Sequence, residues 1–124
     1  MDPQKQLQAL SEQFQGVQTE LETLVDARQK LESQQQENEG VQAEFAHLDD
    51  DSNIYKLVGP VLLKQEKTEA IMAVNGRLEF IEKEIKRIED EIESTQEKSE
   101  KMRSELIQLQ SEAQQQAAAA SASA

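Results

Sequence analysis

Ile54-Tyr55-Lys56-Leu57-Val58-Gly59-Pro60-Val61-Leu62-Leu63-Lys64 is a short apolar run in the middle of 124 mostly polar residues. Its β-branched and aromatic residues, its central Gly-Pro break and its low charge predict two short strands joined by a tight turn. A lone two-stranded hairpin is marginal in water, and its unpaired edges invite further strands. The run therefore predicts a chain that needs partners.

Outward from the run, both flanks carry a helical stripe. From Leu7 the apolar residues step by three and four through Leu10, Phe14, Val17, Leu21 and Leu24 to Leu31, with Arg28 in the skipped position. These are heptad a and d sites. Gln35 and Asn38 continue the frame as polar occupants, and Val41, Phe45 and Leu48 follow in a slipped spacing that overwinds a coiled coil locally. Asp49-Asp50-Asp51 ends this helix, because three carboxylates face the negative end of its dipole, and Ser52-Asn53 are turn formers. Beyond the run, Glu66 and Glu69 suit a first helical turn. The stripe then resumes at Ile71, Val74, Leu78, Ile81, Ile85, Ile88 and Ile92, and continues through Thr95, Ser99, Met102, Leu106, Leu109 and Ala113. Glu79 with Lys83, Glu82 with Lys86 and Glu97 with Lys101 lie four apart in the favourable order, each pair worth a few tenths of a kcal/mol. The Asn75-Gly76 step is the weak spot, since Gly costs about 1 kcal/mol inside a helix and predicts fraying or a bend there. The organisation expected is a helix over 1–48 after a short flexible start, a loop and β-hairpin over 49–66, a second helix over 67–116, and a disordered Ala/Ser tail over 117–124.

The two stripes fit one another as an antiparallel pair, which requires partner positions to keep a nearly constant residue-number sum. Leu48 with Ile71, Val41 with Leu78, Leu31 with Ile88, Val17 with Met102 and Leu7 with Ala113 all meet that condition. The fold class expected is mainly α: a long antiparallel two-helix coiled coil with one β-hairpin at the bend. Two helices of about 45 residues at 1.5 Å rise would make an arm of roughly 65 Å, with the hairpin at one end and both termini at the other. The seam is uneven. Polar groups at Arg28, Thr95 and Ser99 loosen its middle, whereas the third next to the hairpin is rich in Leu, Ile and Phe.

Composition narrows the function classes. Three Phe, one Tyr and no Trp leave too few large side chains for a compact globular core. Gln, Glu, Lys and Leu dominate, as in long helices. The net charge is -12, and residues 1–51 hold 3 basic and 12 acidic side chains. Such a field repels phosphate backbones and anionic headgroups, which argues against nucleic acid or a membrane surface as partner. Without cysteine there is neither a disulfide framework nor thiolate chemistry. No leader pairs a basic stretch with an apolar one, and no segment approaches the roughly 20 apolar residues of a membrane span, so a soluble cytoplasmic protein is expected.

Candidate sites follow from what the stripe does not absorb. A two-helix arm offers no concave pocket for catalysis, so no enzyme, no cofactor and no metal is expected. His47 with Asp49 and Asp50 could be drawn as a metal cluster, but one His and exposed carboxylates do not make a ligand set. Arg28 at an a position either snorkels and sets register or contacts a client or partner, and Gln35 and Asn38 read as register devices or as part of an interface. Phe80 lies off the seam near the hairpin, either as a neighbour-subunit contact or as a stray exposed aromatic. The distal apolar residues Leu7, Leu10, Phe14, Val17, Met102, Leu106 and Leu109, with Ile107 off the seam, are first the core of their own coiled coil; a weakly held tip would also offer them to non-native chains.

Ala27-Arg28-Gln29-Lys30-Leu31-Glu32, the run Tyr55 to Glu66 with its Gly-Pro turn, and Arg77-Leu78-Glu79-Phe80-Ile81-Glu82 together resemble the β-class subunits of the eukaryotic prefoldin family, over residues 7–112. The hairpin motif is specific, whereas heptads alone would match countless coiled coils. The resemblance implies a heterohexamer of two α-class and four β-class subunits, whose hairpins join into paired β-barrels from which six coiled-coil arms hang. It implies ATP-independent capture of unfolded actin and tubulin at the arm tips, and transfer to the cytosolic group II chaperonin. Carried onto this chain, Ile54, Tyr55, Leu57, Val58, Gly59, Pro60, Val61, Leu62, Leu63 and Phe80 would serve subunit assembly, and Leu7 to Val17 with Met102 to Ala113 the client-binding tip. The rival expectation is a purely structural coiled-coil tether or heterodimerisation module, which has no use for a β-hairpin at the bend.

Overall fold

The computed structural model describes residues 2–49 and 51–123, the side chain of Ser123 excepted. Helix α1 spans Pro3–His47, strands β1 and β2 span Ile54–Val58 and Val61–Gln65, and helix α2 spans Lys67–Ser123. The chain divides into two units, one of Met1–Asp26 with Glu89–Ala124 and the other of Ala27–Ile88.

Helix α1 begins at Pro3. The reason is local. Asp2 accepts a hydrogen bond from the Gln4 backbone N–H at 3.3 Å, its carbonyl accepts from the Gln6 N–H at 3.0 Å, and Pro3 supplies a preset helical φ at a position whose N–H is not needed. At the other end of α1, Leu48 donates to the Phe45 carbonyl at 3.3 Å, and Ser52 donates to the Asp49 carbonyl at 3.0 Å in a turn. Asp50, the middle residue of the acidic triplet, lies outside the described residues.

The stripe read from the sequence is the stripe that packs, except at Val41, which is exposed. In the unit of Met1–Asp26 with Glu89–Ala124, Val17, Thr95 and Ser99 are buried, and Leu7, Leu10, Phe14, Leu21, Leu24, Ile92, Met102, Leu106 and Leu109 are half-buried. The helices run antiparallel here, as the Gln18 amide shows by donating to Ser99 Oγ at 3.1 Å across the seam. That bond gives the polar seam position a partner, so burial of Ser99 does not leave a hydroxyl unsatisfied. Cysteines placed at Val17 and Met102 are therefore expected to join within one chain under mild oxidation, seen as a faster-migrating monomer on a non-reducing gel. Exclusively dimeric product would contradict the intramolecular pairing.

In the unit Ala27–Ile88, Ala70, Val74, Ile81, Ile85 and Ile88 are buried, and Gln42 Nε2 donates to Asn75 Oδ1 at 2.8 Å between antiparallel helices. This bond falls at the Asn75-Gly76 step. Helix α2 passes through the step unbroken, because the cross-helix bond and the buried Val74 hold the turn that glycine weakens. Arg28 remains half-buried and pairs with Glu32 at 3.1 Å, one turn further along α1. Of the spaced pairs expected on α2, Glu79 and Lys83 meet at 3.5 Å.

Helix α2 also carries the Ala/Ser stretch for which the sequence predicts disorder. Its backbone is helical through Ser123, with side chains exposed from Gln114 to Ala122. Alanine has the highest intrinsic helix propensity, so the stretch needs no partner to continue a helix already begun.

The root of the hairpin is tied by one cation. Lys67, at the first position of α2, donates from Nζ to the Leu48 carbonyl at 2.8 Å, just past the end of α1. A cation at a helix C-terminus meets the negative end of its dipole and an orphan carbonyl together. Lys67→Met should lower stability by about 1 kcal/mol, read as a shift in the urea midpoint at constant slope; an unchanged midpoint would mean that water replaces the ammonium at no cost.

Candidate subunit interface and apolar tip

The two strands pair antiparallel in the register Ile54 with Gln65, Tyr55 with Lys64, Lys56 with Leu63, Leu57 with Leu62 and Val58 with Val61. Gly59 and Pro60 alone connect them, and Gly59 takes φ +58°, a conformation glycine adopts without strain. A two-residue loop with a positive φ at its first position matches the right-handed twist of the strands, so the Gly-Pro pair fixes this register. Partners across the ladder share a face. One face therefore carries Ile54, Lys56, Leu63, Val58 and Val61, and the other Tyr55, Lys64, Leu57 and Leu62.

Only the root of this hairpin is packed. Ile54 is buried and lines a groove with Phe45, Ala70 and Val74, so it anchors the hairpin to its own unit. Tyr55, Leu57, Val58, Val61, Leu62 and Leu63 are all exposed, Leu57 at 69%. Both faces are apolar, and among the described residues the sheet has two strands, so each strand keeps one unpaired edge. A hairpin so exposed buries too little to be stable by itself, and its edges are templates for further strands. Six large apolar side chains in water on eleven residues mark an interaction surface.

Phe80, also assigned to assembly from the sequence, is 63% exposed on α2 in the same unit. Two features nearby escape sequence reading. Met72 is exposed on that side of α2 although methionine is usually a core residue, and Ala70 is buried although it lies outside the marked stripe. Ala70 sits four residues before Val74, a spacing that could have flagged it.

The residues assigned to a tip from the sequence occupy the other unit. Val17 is 5% exposed, and Leu7, Leu10, Phe14, Met102, Leu106 and Leu109 are half-buried along the seam; Ile107 is 58% exposed beside it. The seam thus uses most of the apolar surface proposed for binding. What it leaves open is Ile107 and the outer flanks of its half-buried neighbours.

No group of three His, Cys, Asp or Glu among the described residues is placed to hold a metal ion, and no helix there is long and apolar enough to cross a membrane. One carboxyl is shifted from its ordinary value. The Arg87 guanidinium, hydrogen-bonded to Glu84 Oε2 at 2.9 Å, holds the Glu84 carboxyl low.

An exposed apolar hairpin connecting two antiparallel heptad helices is the design of an oligomeric coiled-coil subunit. The chain belongs to the prefoldin subunit family, whose model matches residues 8–113. It is 54% identical over 100 residues to prefoldin subunit 6 of Saccharomyces cerevisiae, covering 81% of this chain and 88% of that one. It is 46% identical over 116 residues to prefoldin subunit 6 of Bos taurus, covering 94% of this chain and 90% of the relative. Among solved structures it is similar to the prefoldin beta subunit from Thermococcus strain KS-1, at TM-score 0.75 and 26% identity, with 82% of this chain and 89% of that chain covered. These matches agree with the β-class resemblance carried by the hairpin motif.

Proposed function

We propose that this chain is one subunit of a hexameric, ATP-independent co-chaperone in the cytosol, which holds unfolded actin and tubulin by apolar coiled-coil tips and passes them to the group II chaperonin. Other α- and β-class prefoldin subunits are its permanent partners. Ile54, Tyr55, Leu57, Val58, Gly59, Pro60, Val61, Leu62 and Leu63 make the assembly joint, with Phe80 on α2 beside them and the hairpin completing a β-barrel. Leu7, Leu10, Phe14, Val17, Met102, Leu106, Ile107 and Leu109 make the client-binding tip.

The observation that carries the reading is the hairpin, apolar on both faces, exposed beyond its root and unpaired at both edges. A tether that works through its helices has no need of such an element. Binding by apolar contact, at about 25 cal/mol per Å², is unselective and weak per side chain, which suits several arms sharing one non-native client. The test is native mass spectrometry of the chain copurified with its partners, together with light scattering of a denatured client. A six-chain mass and suppressed aggregation without nucleotide are expected. A two-chain complex without effect on aggregation would instead select the tether.

A further inference from the structure

The hairpin is not the only apolar surface that the unit Ala27–Ile88 leaves in water. Met72, Gly76 and Phe80 are spaced by four and share one side of α2, with Met72 68% and Phe80 63% exposed. Between them Gly76 leaves a gap: a Cβ built there would meet nothing within 4 Å. Gln34, Asn38, Gly76, Arg77, Phe80 and Ile81 line a groove of about 440 Å³ at this place, room enough for one large side chain. Arg77 also lines the groove of about 320 Å³ that reaches Tyr55, Lys56 and Leu57 on the hairpin, so the two form one continuous surface.

Arg77 is distinctive among the arginines around it. Arg28 is paired with Glu32 and Arg87 with Glu84, whereas Arg77 has no ion-pair or hydrogen-bond partner among the described residues. A cation set between an apolar groove and the root of the hairpin is completed by a carboxylate.

We propose that this surface is a second subunit joint, in which a neighbouring prefoldin-family subunit seats an apolar side chain in the Gly76–Phe80 groove and an acidic side chain against Arg77. The joint rests on the assembly reading above and extends the hairpin contact onto α2. It gives the complex a contact made by side chains on a helix, in addition to strand pairing, which depends little on sequence. Side-chain complementarity then contributes to which subunit sits beside this one.

Gly76 makes the proposal testable with effects of opposite sign. Gly76→Leu removes the glycine penalty and its Cβ meets no atom of its own chain within 4 Å, so the isolated chain should unfold at higher urea; the same side chain fills the groove and should weaken retention of the chain in the complex roughly 10- to 100-fold. Phe80→Ser should weaken retention by a similar factor while leaving the isolated chain's midpoint unchanged, and Arg77→Glu should weaken it through repulsion. A photo-crosslinking amino acid at position 80 should capture an adjacent subunit. A complex that withstands Gly76→Leu and Phe80→Ser but falls apart on Leu57→Asp would overturn the second joint and leave the assembly reading in place. Crosslinking to a denatured client alone would overturn it too, by making the groove a client surface. A complex that survives Leu57→Asp as well would remove the reading on which the joint rests.

Discussion

Leu57→Asp and Leu62→Asp are each expected to eliminate the six-chain mass from native spectra while leaving the chain itself folded. The two residues are cross-strand partners on one face of the hairpin, and both side chains are already exposed in the single chain, so an aspartate at either place costs its fold little. In a complex that buries the hairpin the balance is different. Burial of an unpaired carboxylate costs several kcal/mol, and the apolar contact of the leucine is lost with it. A loss of only about 4 kcal/mol weakens subunit association roughly 1,000-fold. Circular dichroism separates the outcomes: unchanged helicity with a lost complex assigns the hairpin to assembly, whereas an intact complex carrying Leu57→Asp would show that the subunits join elsewhere. Lys56→Ala, on the opposite face of the same strand, is the control, since its stem and charge can stay in water.

The architecture was legible in the sequence because two different periods meet at a boundary. The heptad stripe on both flanks, with a nearly constant pairing sum, specified antiparallel helices, and the short Ile54–Gln65 run between them fitted only a hairpin. Its Gly-Pro pair even indicated the turn, since glycine accepts the positive φ and proline has no place inside a strand. The errors lay where local propensity competes with context. The Asn75-Gly76 step looked weak because a sequence does not reveal that Gln42, thirty-three residues away, would bond to Asn75. The Ala/Ser stretch looked disordered by its low complexity, but alanine continues a helix readily once one is nucleated.

The sites were legible to a lesser degree, for a physical reason. Apolar pattern marks residues that avoid water but does not say which chain covers them. Ile54 and Leu57 look alike in the sequence, yet Ile54 packs into its own unit and Leu57 stays in solvent. Arg77 opens one of the stretches that carry the family resemblance, but nothing in that stretch says what the arginine does. Its significance comes from lining two grooves and from the lack of an internal partner among the described residues, neither of which is a property of a one-dimensional pattern.

The same ambiguity governs the tip, where replacement of Leu10, Phe14 and Leu109 by Ser is expected to leave the hexamer assembled and to abolish protection of a denatured client. These three side chains are half-buried, so they hold the seam and still present a flank to solvent. Replacing all three removes roughly 5 kcal/mol or more of apolar contact, which loosens the seam around them as well as stripping the surface. Loss of protection by the triple variant alone would therefore not distinguish a binding surface from a scaffold. Ile107 supplies the distinction. It is 58% exposed beside the seam, so Ile107→Ser changes what a client would touch with little effect on packing. If the tip binds clients, Ile107→Ser should require several-fold more complex for the same suppression of light scattering, at an unchanged unfolding midpoint. If several arms share one client, as proposed, the loss from one subunit is a fraction of the total avidity, and it should grow when the client is small enough to reach only a few arms. Full protection by both variants, in hexamers of normal mass, would place client binding on other subunits and leave this chain the role of holding the assembly together.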